Sequence, residues 1–512
     1  MAVFSFIYPM DSIRKQSIFS SIFIYAGFGI GAINILYLFP TYFTPEQFGL
    51  TRILMDIAMI LATICTAGII PTAFKFYPYY QRYLDKNKSD LLTLSFVVAL
   101  VLSLMIFISM PAIEPWIIRK FGDRSPILTR YLYLIIPLTF TLVGFNTLEA
   151  FAWIAGKTVI STFLKEFLFR SMISMLILCW LLGLIKDFTL FIDIYAILYI
   201  IPIIILAVAV YRSKTFSIQF TPSKVTKRIG GVMLKFGGAY FFSMLLNILA
   251  KTNDTLIIAS QSSGGLADAA IFAVATYMIT LMDVPQRSLI AAATPHIAQA
   301  WKDRNMLKMD RLYKKTALNL LIIALAILGL VMLNNQLFVK ILGPQYKLLP
   351  ILMLILGVSK LIDLGTGLNA QILQLSKHWK IDLFSNMFFV ASSIVLNYFL
   401  TRTYGIIGTA IGTITAVVAF NTIRFIYIKS LYGLQPFNWK NGTALLSAFI
   451  LTLGLSYLMI SRNIWVNSIV VSGIFLSCFG FVVLRFNLSE DISELFAISK
   501  NKILKTIKRN NS

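Results

Sequence analysis

The sequence predicts an all-α, polytopic membrane protein of about 14 transmembrane helices, set out as two six-helix halves and a C-terminal helix pair. Three observations predict it. Of the 512 residues, 58% are hydrophobic and 13% charged, and mean hydropathy is +0.81, whereas a soluble domain carries about 25% charged residues. Apolar stretches long enough to cross the hydrocarbon, which takes about 20 helical residues, recur along the chain. Lys and Arg are shared unequally between alternate connectors.

The first expected span, near 17–40, is too long for a signal-peptide apolar region and lacks a small-residue cleavage site, so it stays in the chain. A tight loop from Thr44 to Gly49 leads into the second, 51–74, and a polar stretch precedes the third, 91–113. Pro137 interrupts the fourth, 129–150, and a Gly156-Lys157 turn opens the fifth, 161–185. The sixth, 190–210, runs into the longest basic connector and then the seventh, 235–261. The remainder fall near 268–290, 316–334, 348–370, 381–400, 406–428, 442–460 and 466–485.

An even number of spans puts both termini on one side. Placing them in the cytoplasm assigns roughly 30 of the 45 Lys+Arg to inside loops and tails, about 10 to outside loops and about five to spans. The net charge of +24 is thus a topology signal. Spread over short loops, it does not form the aromatic-studded basic patch that nucleic acid requires. The basic tail suits anionic lipid headgroups.

The connectors also exclude chemistry. The outside loops are short, which argues against a membrane transferase needing a large catalytic loop. No GxxxxGK[ST] phosphate loop occurs, which argues against ATP hydrolysis. Cys65, Cys179 and Cys478 all sit in apolar spans and read as small core residues. His296 and His378 lie in connectors without a ligand cluster, so no metal and no cofactor is expected. The chain reads as a non-enzyme.

Two segments repeat at one period. Leu148, Ala150, Lys157 and Phe169 coincide with Leu368, Ala370, Lys377 and Phe389 at an offset of about 220, and the stretch from Pro45 matches that from Gly265 in character. The expected division is a six-helix half at 1–220, a second at 221–430, an added helix pair at 431–485 and a basic cytoplasmic tail at 486–512. Six spans per half make the repeat parallel, an arrangement in which transporters run their substrate path between the halves.

Span seven is the most informative. Ser243, Asn247, Lys251 and Asp254 follow at spacings of four, four and three, within an arc of roughly 80° that also holds Tyr240. A charge at bilayer depth costs at least ~2.5–3.5 kcal/mol, so this stripe should face a neighbouring helix or a wet cavity. Two readings stay open: an intrahelical Lys251–Asp254 pair, or the lining of a polar pathway.

Taken together, the loop FTPEQFGLTR after the first span, the six-plus-six-plus-two plan, the acidic seventh span and the run from Arg402 resemble the multidrug/oligosaccharidyl-lipid/polysaccharide (MOP) exporter superfamily. Within it the likeness is to the polysaccharide-biosynthesis branch of Wzx-type O-antigen flippases. The resemblance implies a bundle opening alternately to each side of a bacterial inner (plasma) membrane. It implies as partners a polyprenyl-diphosphate-linked oligosaccharide, membrane lipids, and polysaccharide polymerase or chain-length machinery. The first span lacks the carboxylate that drug-exporting relatives carry, and only Arg52 and Asp56 stand near the charged run of the lipid II branch.

Such a cargo needs cations for its phosphates and hydrogen-bonding or aromatic groups for its sugars. The candidate substrate-binding residues are Lys251, Arg287, Arg52, Lys360, Tyr240 and Asn247, with Asp254 and Asp283 setting charge or coupling an ion. Five acid–base pairs stand at helical spacing: Arg52–Asp56, Glu166–Arg170, Lys251–Asp254, Asp283–Arg287 and Lys360–Asp363. Glu166–Arg170 reads as a self-neutralising bridge. The alternative to the flippase is a cation-coupled exporter of small amphiphiles, for which this mixed-to-basic set is less suited.

Overall fold

A computed structural model describes residues 13–84, 89–213, 215, 218–491, 493 and 494. The tail cations Lys500, Lys502, Lys505, Lys508 and Arg509 lie outside the described residues. Within them the chain is all-helical, and 11 helical stretches are long and apolar enough to cross a membrane. Three expected spans fall outside that count for visible reasons. The fifth is continuous helix through a π-turn, Phe163–Leu168, but gathers three charges, Lys165, Glu166 and Arg170, within two turns. The eleventh and twelfth follow one another without a loop, over Trp379–Tyr432, and count as one. The thirteenth is a helix of 18 residues, Trp439–Ser456, with polar residues in its first turn.

The chain divides into two compact units, Met1–Ala270 and Ile271–Ser512. In the first, α1 (Ile13–Ile33) runs through a π-turn at Asn34–Leu38. Pro40, with no N–H to continue the ladder, follows that turn directly. Thr44 caps α2 (Pro45–Thr66) in a reciprocal box with Gln47. Ala67 and Gly68, both left-handed, redirect the chain into α3 (Ile69–Tyr83). Next come α4 (Leu91–Phe121), α5 (Ile135–Ile154), α6 (Phe169–Leu181), α7 (Phe188–Ile197) and α8 (Ile200–Arg212). The 38-residue α9 (Lys224–Gln261) packs on α2, α3 and α4 of the same unit. The expected boundary at 220/221 thus lies inside this unit, and α9 is its last complete helix.

Both ends of α9 are tied down. At the start, buried Asp90 accepts from the Ser223 amide at 2.9 Å and from Thr226 Oγ1 at 2.8 Å, and the Tyr80 hydroxyl meets Thr226 Oγ1 at 2.6 Å. A carboxylate beside a helix N-terminus also gains from the helix dipole. Near the far end Ser125 Oγ donates to the Ala259 carbonyl at 2.7 Å. Midway, a Cβ at Gly68 would lie 2.2 Å from the Gly237 carbonyl oxygen, so only glycine allows this approach.

After α10 (Gly265–Ile279), a 3₁₀ turn at Thr280–Met282 leads to α11 (Asp283–Lys302). Pro285 cannot donate to the carbonyl four residues back, which is why the helix is interrupted there. The second unit continues with α12 (Met306–Leu333), α13 (Leu349–Gly365), α14 (Trp379–Tyr432), α15 (Trp439–Ser456) and α16 (Ile464–Arg485). A straight 54-residue helix would extend ~80 Å. Instead α14 doubles back at Gly405, whose φ of 59° and ψ of −143° are not helical. Thr401 and Thr409 hydroxyls meet at 2.6 Å and Asn397 Nδ2 donates to Thr413 Oγ1 at 3.3 Å, pairing the arms as an antiparallel hairpin. Its arms correspond to expected spans eleven and twelve.

Candidate functional site

Each unit carries its own polar constellation. In the first, the seam of α9 that meets its neighbours includes Gly237, Thr252 and Thr255, all buried. Tyr240, Ser243, Asn247, Lys251 and Asp254 stand roughly 40–120° around the helix from that seam. The structure therefore turns the stripe away from the packing face. Tyr240, Asn247 and Lys251 are exposed and Asp254 is half-buried. Of the apolar window of this helix only 11% is buried in the chain, against 50% for Pro45–Tyr83. Lys251 forms no salt bridge among the described residues. Asn247 Nδ2 donates to the Ser243 carbonyl at 2.9 Å.

Behind the stripe, α2 contributes buried Asp56, which accepts from Thr255 Oγ1 at 2.6 Å. Among the described residues Arg52, one turn earlier, forms no salt bridge, and its buried Nε has no hydrogen-bond partner. Glu166–Arg170 does form, at 2.8 Å, and Glu149 pairs with Lys165 at 2.9 Å. Asn34, in the π-turn of α1, donates to the Arg170 carbonyl at 2.9 Å and accepts from Ser174 Oγ at 2.6 Å.

In the second unit the charges interlock. Lys360 Nζ on α13 lies 2.6 Å from Asp283 Oδ1 on α11 and 2.9 Å from Asp363 Oδ2. The contact to Asp283 is an ion pair at an angle outside hydrogen-bond geometry, whereas Lys360 donates to Asp363. The helical spacing of Asp283 and Arg287 thus misleads: Asp283 turns to Lys360, and Arg287 is exposed without an ion pair among the described residues. Asp363 accepts at 3.5 Å from Asn421, whose Oδ1 accepts in turn from Thr366 and Asn369 at 2.9 Å each. One turn along the same arm, buried Arg424 pairs with Asp382 and donates to Ser385 Oγ at 3.1 Å. Its guanidinium stacks 3.9 Å from the Phe420 ring centre. Two cations face three carboxylates in this chain of contacts. Charges in a span survive by such pairing.

The eight expected residues thus separate. Arg52, Tyr240, Asn247, Lys251 and Asp254 belong to the first unit, and Asp283, Arg287 and Lys360 to the second. Thr255, Asn421 and Asp382 were missed. A lone Asn in an apolar run, as at Asn421, is the signal that was available for one of them. Among the described residues no cluster of three metal-ligating side chains occurs. His378 Nδ1 meets the Tyr432 hydroxyl at 2.8 Å.

No known family and no curated protein matches the chain at the level of sequence. Solved structures do match it in fold. Lipid II flippase MurJ, in an inward closed conformation, matches with TM-score 0.70 over 93% of this chain and 100% of its own, at 13% identity. An inward-facing multidrug resistance MATE family transporter of the MOP superfamily matches with TM-score 0.60 over 80% of this chain and 94% of its own, at 18% identity. The chain shares its all-helical, polytopic fold with these two solved structures.

Proposed function

We propose that the protein is a flippase that moves a polyprenyl-diphosphate-linked oligosaccharide across the bacterial inner membrane for surface polysaccharide assembly, by alternating access. The observation that carries this reading is the exposed stripe of α9. A span that exposes a lysine, beside Tyr240 and Asn247, on a surface its own unit does not cover presents phosphate- and sugar-binding groups where a cargo can reach them. In the first unit Lys251 is the principal cation, with Arg52, and Asp254 sets the local charge; in the second, Arg287 is the exposed candidate cation. Lys360 contributes only when Asp283 or Asp363 gives up its hold, so Asp283 governs that cation. The fold shared with MurJ, named as a lipid II flippase, supports a lipid-linked cargo.

A cation-coupled exporter of small amphiphiles is the second reading. It draws on the three carboxylates that outnumber the cations around Lys360 and Arg424. The test is surface-polysaccharide export in a deletion strain complemented with wild type or Lys251→Ala, expression being matched. The flippase reading expects lost export with lipid-linked oligosaccharide accumulating inside. Wild-type export removes Lys251 from the pathway, and loss without accumulation points to synthesis instead.

A further inference from the structure

Aromatic rings gather where α3 meets the first half of α9, at the end that the charge asymmetry of the connectors assigns to the cytoplasm. Phe236 of α9 lies 5.7 Å from buried Phe76 of α3, edge to face, and 4.6 Å from Tyr240. Phe76 continues to Tyr79 at 5.9 Å. The Lys75 ammonium rests 3.8 Å above the Phe236 ring, a cation–π contact that holds the lysine head over the cluster. Tyr79 and Tyr240 remain about half exposed, at 49% and 47%.

The cluster is held rigidly from behind. Tyr80 bonds to Thr226, and the glycine contact between Gly68 and Gly237 brings the helices together within a turn of Phe236. Phe236 and Tyr240 also belong to the face that carries Ser243, Asn247, Lys251 and Asp254, so the rings open onto a polar track ~27 Å long. Pre-set aromatic faces beside a few donors are what a pyranose needs, since its ring has an apolar C–H face and a rim of hydroxyls.

On the strength of the flippase reading, we propose that Tyr79 and Tyr240, backed by Phe236 and Lys75, form a sugar-stacking platform that receives the glycan of the cargo at the cytoplasmic start of the α9 track. The rings stack on the C–H faces of the sugars, and the Lys75 ammonium and tyrosine hydroxyls hydrogen-bond to their rims. Discrimination of glycosylated from bare carrier lipid would then arise here, apart from the diphosphate contact at Lys251.

The test measures binding of two probes to the purified full chain in nanodiscs: undecaprenyl diphosphate bearing the oligosaccharide, extracted from the accumulating deletion strain, and bare undecaprenyl diphosphate. Wild type should bind both, the glycosylated lipid more tightly. Tyr79→Leu and Tyr240→Leu should each weaken the glycosylated probe about tenfold, the scale of one lost aromatic contact, and leave the bare lipid within about twofold. Tyr240→Phe should keep most of the preference, which separates stacking from a folding defect. Equal losses for both probes would make the rings an interfacial aromatic belt that meets lipid headgroups, and would overturn the platform while leaving the flippase intact. Unchanged binding in both leucine variants would overturn it too. Wild type binding neither probe would overturn the flippase reading itself.

Discussion

Removing the Lys360 cation should be among the most damaging single changes in the second unit. Its ammonium sits 2.6 Å from one carboxylate and 2.9 Å from another. At an effective dielectric near 20 each contact has a gross attraction of about 6 kcal/mol, most of it cancelled by desolvation. Stripping one partner from a buried pair costs about 3–5 kcal/mol, because the remaining charge is left uncompensated. These side chains retain 21–29% exposure, so solvent screening places Lys360→Met near the lower end, at about 3 kcal/mol. The triple neutral variant Asp283→Asn, Lys360→Met, Asp363→Asn removes charge from all three and should recover all but about 1 kcal/mol. Thermal stability in detergent, read as the monodisperse fraction after heating, gives the comparison. If Lys360→Met melts with wild type, or the neutral triple is as labile as the single variant, the triad is not an electrostatic unit and Lys360 is free to serve cargo directly.

Three further changes test the first unit. Thr255→Val strips the 2.6 Å donor from buried Asp56 and should cost about 1.5–3 kcal/mol, whereas Thr255→Ser should remain near wild type in the same melting assay. Asp90→Ala frees the first turn of α9 from its carboxylate and should cost about 1–3 kcal/mol, visible as faster proteolysis of the connector before Ser223. Gly27→Ala places a Cβ 2.0 Å from the Glu166 carbonyl oxygen and should cost about 1–3 kcal/mol by forcing the helices apart. Gly29→Ala meets nothing within 4 Å and is its control.

Hydropathy alone located most of the helices, because a bilayer demands long apolar runs whatever their neighbours. The turn at Gly405 was legible as a gap between two such runs. Partnerships across the fold were not. Helical spacing offered Arg287 to Asp283, yet the carboxylate goes to Lys360, 77 positions away (360 − 283). Arg424 had no acid within a turn in sequence, and the hairpin supplies Asp382 from 42 positions earlier. Local spacing shows which charges could meet, while helix packing decides which do.

The α14 hairpin also constrains how the protein is made. Asn397, Thr401 and Thr409 are buried between its arms, so neither arm alone offers the lipid a clean apolar surface. With no loop between them, the arms have to leave the translocon together, already paired, as one insertion unit. A reporter or epitope spliced at Gly405 would divide that unit during biogenesis, before any question of transport arose.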